Sequence, residues 1–353
     1  MARRGDAMRA LLLAALLAPP AAAGAGFVAL DAPGSQLVAL SADGRVAAGT
    51  LNRAAHGGFR WREGGGVELL PQAVSVHGLS PSGRLVAGST FDGQQRETAA
   101  YWDEAGALHV LGGLDGAIAQ GGLLSLAFGA CDEPRIVGVA NGADDRMQAF
   151  VWTPADGLRV LAAPAAARAA RARGLSADGR RIFGGYERAD GRYGGVLWID
   201  GAAQPLGGDG VGEVFGADRA GRVLVGAADT PGSGAYRWSE SAGSAPLAPP
   251  PAVPSPVQAY AGSDDGRIVV GSAGVGGERV AVVWSEGQAE PLAGWLARHA
   301  VAVPAHWTLA AATAVSRDGR RIGGWGRHDG RIDSFVVDLP SLVSASGTAA
   351  GAR

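Results

Sequence analysis

A single unit recurs seven times along the 353 residues, and this limits the folds open to the chain more than any other feature. Each unit opens with a short apolar run and Ser-x-Asp-Gly-Arg, then continues with apolar residues ending in glycine. An aromatic–x–Trp segment follows about a dozen residues later, then a short strand ending in Leu. The copies are VALSADGRVAAG (38–49), HGLSPSGRLVAG (77–88), AFGACDEPRIVG (127–138), RGLSADGRRIFGG (173–185), FGADRAGRVLVG (215–226), YAGSDDGRIVVG (260–271) and TAVSRDGRRIGG (313–324). The repeat glycines are Gly49, Gly88, Gly138, Gly184, Gly226, Gly271 and Gly324. They lie 39 to 53 residues apart, while the Trp position follows each of them by 12 to 14. Length variation is therefore confined to the stretch between one unit's last strand and the next unit's first. The third copy is degenerate, and Val337 replaces the Trp in the seventh.

Asp-Gly between two apolar runs is a hairpin signal, because glycine tolerates the positive φ such turns need. The aromatic–x–Trp segment alternates as a half-buried strand does. Four short strands in roughly 45 residues match one propeller blade. The expected fold is all-β: a seven-bladed β-propeller of four-stranded antiparallel blades. The seventh unit ends after its third strand, at FVVDL (335–339). FVAL (27–30) precedes the first Ser-Ala-Asp-Gly-Arg as VEL (67–69) precedes the second turn. Leu30 lies ten residues before Leu40, and Leu69 ten before Leu79. The N-terminal strand is thus expected to close the ring as the seventh blade's fourth strand, beside 335–339.

Arg3, Arg4 and Arg9 flank an apolar run at 10–18, and the small residues from Ala21 to Ala25 offer Ala-x-Ala cleavage. The reading is a secretory signal peptide over 1–25, cleaved after Ala23 or Ala25, with the mature protein periplasmic or secreted. The run is about half the length that spans a bilayer, so no membrane span is expected. One propeller domain over 26–339 and a flexible tail over 340–353 complete the division. The formal net charge of −2 argues against nucleic acid or an anionic membrane as partner, although all 31 basic residues are Arg. The single cysteine, Cys131, rules out an internal disulfide framework; its place inside a repeat reads as a small buried hydrophobe.

The run G-[LV]-S-x-D-G-R-x-[IV]-x-G, followed by aromatic–x–Trp and a short strand, resembles the HAF repeat family of bacterial extracellular proteins. The resemblance extends from about residue 27 to 339. PLAGWLARHAVAVPAHWTLAAATAVSRDGRRIGGWG (291–326) resembles the last-repeat signature of that family, which implies one short helix and a linker before the last blade. The family implies an exported propeller with no established reaction.

The turn aspartates (Asp43, Asp132, Asp178, Asp265 and Asp318) invite a calcium reading, but each turn supplies only one or two carboxylates where calcium takes six to eight oxygens. Side-chain bonds to local backbone explain both them and the turn serines. The turns also differ from the sialidase Asp-box, since Trp follows the Asp by about 18 to 20 residues. His299 and His306 flank the helix–linker junction without a third ligand nearby, so no metal residues are assigned, nor any catalytic or cofactor-binding ones; no cofactor is expected. The Trp residues at 61, 102, 152, 198, 238 and 284 read as packing between blades. The basic segment ARAARAR (167–173) reads as a solvated connection.

The leading expectation is a non-enzymatic binding or interaction module, monomeric, with a protein or glycan as partner at the channel mouth. The enlarged connections at 112–126, 161–173, 206–214, 247–259 and 292–312 are the places to look. One alternative is a carbohydrate-active or other hydrolase or lyase with convergent carboxylates, for which Asp115, Asp209, Glu213 and Asp218 are candidates. Another is a structural cell-surface protein, which would self-associate through an apolar patch.

Overall fold

Ser176 shows how one repeat folds. Its hydroxyl accepts from the Arg181 N–H (3.0 Å) and donates to Asp178 (2.5 Å), whose carboxylate accepts from the Arg180 N–H (3.1 Å). Gly179 completes the turn at φ +68°. Ser41, Ser263 and Ser316 repeat the arrangement with Asp43, Asp265 and Asp318. In the fifth unit Asp218 takes the serine's place and accepts from the Arg222 and Val223 N–H groups. These local bonds define the first hairpin of blades 1, 4, 5, 6 and 7.

The computed structural model describes residues 26–52, 57–119, 121–144, 146–207, 210–228, 234–253 and 255–340. The proposed signal peptide and residues 341–353 of the tail lie outside them. Seven four-stranded antiparallel sheets follow one another in chain order. Their first strands are Ser35–Leu40, Ala73–Leu79, Ser125–Cys131, Ala169–Leu175, Val214–Ala217, Val257–Gly262 and Trp307–Val315. Each of these packs against the first strand of the next sheet, and the seventh packs against the first, so the seven encircle a central channel. The protein is a seven-bladed β-propeller.

The ring closes as the repeat arithmetic requires. Gly26–Ala29 pairs antiparallel with Arg331–Asp338, in the register Phe27 to Val337 and Ala29 to Phe335. Phe27 packs between the rings of Trp307 (5.1 Å) and Phe335 (5.3 Å). The helix Leu292–Arg298 precedes the last blade and buries Leu292, Trp295 and Leu296.

The core lies between blades. Trp102, Trp198 and Trp284 each donate through the indole N–H to a carbonyl at the start of the connection from the preceding blade, at Pro71, Ala162 and Ala248. Trp102 packs among Ala48 and Leu70 of blade 1 and Ala73 of its own blade. Truncating such a ring costs about 3–5 kcal/mol. On the turn face, hydrogen bonds cross every seam. Blades 1 and 2 are joined by Ala42 to Pro81, blades 2 and 3 by Ser82 to Asp132, and blades 3 and 4 by Arg135 to Gly179. Ala177 to Arg219, Arg219 to Asp264, Asp264 to Arg317 and Arg317 to Ala42 join the rest. Asp132 thus serves the neighbouring blade and not its own turn.

One expectation is corrected. ARAARAR (167–173) is not a solvated connection: Ala169–Leu175 is the innermost strand of blade 4, with Ala170 and Ala172 buried against the sheet. Alternation of alanine with arginine carries too little hydrophobicity to look like a strand, yet alanine is what a crowded inner strand accommodates.

Candidate ligand site in the channel

Every innermost strand carries a β-bulge at the same place, where one extra residue interrupts the pairing. The extra residue is Val38, His77, Phe128, Arg173, Phe215, Tyr260 or Thr313, three residues before the turn serine or its replacement. A bulge re-aims the side chain it displaces. Here it aims one side chain per blade into a shared depression of about 230 Å³ on the ring axis. The repeat glycine of each blade pairs with the residue just before the bulge. At Gly138 a Cβ would lie 1.9 Å from the Leu126 carbonyl oxygen, so the close approach of backbone explains the glycine.

The polar side of the depression is organised around Arg173. Its guanidinium donates to both carboxylate oxygens of Glu213, at 2.7 and 3.3 Å. Its charge lies over the ring of Phe128 (4.7 Å) and near that of Phe215 (5.7 Å). Arg171 adds a second cation 3.6 Å from Glu213. The aromatic arc continues as His77 edge-on to Phe128 (5.0 Å) and Tyr260 beside Phe215 (5.8 Å).

Hydrogen bonds fix the other polar members. The Tyr260 hydroxyl donates to Gln258 (2.6 Å), and Ser272 lies 3.1 Å away. His77 Nε2 is 2.8 Å from the Ser75 hydroxyl, which is 2.6 Å from Ser89, whose hydroxyl in turn donates to Glu97 (2.5 Å). Burial, assisted by the charge of Arg173, pulls the His77 pKa down to about 4. The imidazole is therefore neutral near pH 7 and offers one donor and one acceptor.

The carboxylates considered for catalysis do not converge. Glu213 is paired with two arginines, of which Arg173 lines the depression. Asp218 follows the strand Val214–Ala217, which Glu213 precedes, and lies in the turn. Asp115 is exposed in the connection between blades 2 and 3, and Asp209 lies outside the described residues. Where carboxylate pKa values shift among the described residues, they shift down, through hydrogen bonds from nearby hydroxyl and backbone groups or through arginine and histidine partners. Of the two histidines near the helix, His299 turns onto Trp295 and His306 faces Asp329. Cys131 is buried, and that burial pushes its thiol pKa up.

No protein-family model matches the chain, and no curated protein matches it. Solved structures do. The β-propeller domain of the Trilobed protease from Pyrococcus furiosus, described as having an open velcro topology, aligns with a TM-score of 0.57 at 10% identity, over 86% of this chain and 95% of that one. An oligogalacturonate lyase in complex with manganese aligns at 0.56 and 12% identity, over 91% and 95%. A puromycin-hydrolyzing peptidase of Mycobacterium tuberculosis aligns at 0.54 and 20% identity, over 87% of this chain and 51% of that one, so this chain spans about half of the peptidase. These likenesses are of fold.

Proposed function

We propose that this chain is an exported binding propeller of the HAF-repeat kind, and that a carbohydrate unit seats in the channel depression. Export rests on the charged, apolar and small-residue segments within 1–25. The observation that carries the binding reading is the seven-fold bulge. Every blade spends a ladder position to turn one side chain into the same space, and those side chains are chiefly aromatic, cationic or polar. Aromatic faces with a few fixed donors are the composition of small-molecule sites. Phe215 and Tyr260 offer partly exposed apolar faces to a sugar ring. Arg173, held on one edge by Glu213, supplies directed N–H donors to hydroxyl or carboxylate oxygens.

The test is a thermal-shift screen of the mature protein against neutral and uronate-containing glycans. A hit should weaken at least about tenfold in Phe215→Ala, and again in Arg173→Lys, which keeps the charge but loses the planar fork. A hit indifferent to both substitutions, or no shift with any glycan, would overturn the reading.

A further inference from the structure

We propose that the seam where the ring closes holds a divalent cation of the Zn²⁺ or Mn²⁺ type, ligated by Asp31, His328 and Asp333. One donor atom from each lies within 4.8 Å of the other two. Asp31 lies two residues past the closing strand; His328 ends the second strand of blade 7, and Asp333 lies in the third. The residues come together only because the N-terminal strand pairs with the last blade.

Asp333 is 3% exposed. One of its oxygens, Oδ1, accepts from the Ala32 N–H (3.1 Å), the Ser35 hydroxyl (3.3 Å) and the Ser334 N–H (2.7 Å). Those donors lock the carboxylate and turn Oδ2 into the cluster, where it takes no hydrogen bond from the described residues. Its neighbour there is His328 Nδ1, at 3.8 Å. The imidazole itself is positioned without a hydrogen bond: it stacks on Trp307 with centroids 4.9 Å apart and planes 14° apart. Its Nε2 lies 3.8 Å from Asp329, beyond hydrogen-bond reach. A carboxylate oxygen of a buried aspartate and an imidazole are thus both oriented, each with lone-pair capacity facing one point.

Charge points the same way. Asp31, Asp329 and Asp333 bring three carboxylates to this corner, and among the described residues no arginine pairs with any of them. Elsewhere in the molecule arginines partner most of the paired carboxylates. A cation central to the triad would lie roughly 2.8 Å from each donor; a small movement of exposed Asp31 and of the His328 ring brings these to the ~2.0–2.2 Å of Zn–N and Zn–O bonds. One imidazole with two carboxylates suits Zn²⁺ or Mn²⁺. The donors on Asp333 Oδ1 are the supporting shell such ligands have. Bound there, the cation ties the chain's first segment to its last blade.

The protein, stripped with EDTA, is titrated with Zn²⁺ and with Mn²⁺ by calorimetry, and hydrogen exchange is followed with and without metal. One equivalent should bind, raise the melting temperature, and slow exchange selectively in Gly26–Ala29 and Arg331–Asp338. Asp31→Asn and His328→Gln should each weaken binding by at least about tenfold. Asp31 is exposed and asparagine accepts its positive φ, so that variant keeps the test valid even if the histidine variant folds poorly. Absence of stoichiometric binding, binding that survives Asp31→Asn, or protection spread evenly over the blades would each overturn the proposal.

Discussion

In the first hairpin of each blade a carbonyl of the bulged strand presses against the Cα of the repeat glycine. Gly138→Ala would place a methyl carbon 1.9 Å from the Leu126 oxygen and 2.8 Å from the Phe150 ring. Neither atom can retreat, since one is backbone and the other is fully buried. The expected loss is about 3 kcal/mol or more in urea unfolding. Gly65→Ala, whose Cβ would meet nothing nearer than 3.4 Å, should cost under about 1 kcal/mol; comparable losses at the two positions would refute the bulge account. His77 makes a second residue-scale effect. Its folded pKa, about 4, lies below the unfolded 6.5, so between these values the unfolded chain binds more protons. The stability this provides is whole above about pH 6.5 and falls as pH drops toward 4, at up to about 1.4 kcal/mol per pH unit. Asp43, Asp178 and Asp265, whose pKa values are lowered from 3.8, act only at still lower pH. The urea midpoint should therefore decline between pH 6.5 and 4.5 in the native protein and hold nearly flat in His77→Gln. A slope that persists in the variant would place the titrating group elsewhere.

At the scale of strands and turns, the parts legible in the sequence are those specified locally. The Ser-x-Asp-Gly turn is written in four adjacent residues that bond one another, so its position is readable without the fold. The Trp of the third strand is readable because it always packs across a seam. The start of an innermost strand is harder to see. Its residues are small on the packed side and varied on the channel side, and Ala169–Leu175 alternates alanine with arginine where a conventional strand would show valine or isoleucine. The bulge residue did leave a trace. Three positions before each turn the chain reads Val, His, Phe, Arg, Phe, Tyr, Thr, each followed by Ala or Gly. A variable side chain beside invariably small ones is the mark of a position that faces shared space. Arg173 and His77 stood in plain view within that pattern. What could not be read is the pairing of Arg173 with Glu213, or of Asp31 with Asp333, because these depend on how neighbouring blades and the two chain ends meet.

For the whole molecule, stability depends on a ring whose two ends are held by one short strand. Each of six blades is continuous in the chain, but the seventh borrows Gly26–Ala29. Without that strand, Arg331–Asp338 becomes an unpaired edge lined by Val336 and Phe335, the kind of surface that recruits strands from other molecules. Phe27 would leave its place between Trp307 and Phe335, and the closing ladder bonds would go with it. Burial of one aromatic and several hydrogen bonds together amount to about 5 kcal/mol. A chain truncated to begin at Asp31 should therefore melt several degrees lower and form dimers or larger species on light-scattering chromatography, while a chain beginning at Gly26 should elute as a monomer. A peptide covering residues 24–34, added in trans, should recover part of the lost melting temperature by filling the vacant edge. A truncated chain that stays monomeric with an unchanged melting temperature would mean that packing between blades 7 and 1 closes the ring by itself. The hydrogen bond from Arg317 to Ala42 and the contact of Leu37 with the seventh blade would then carry the seam.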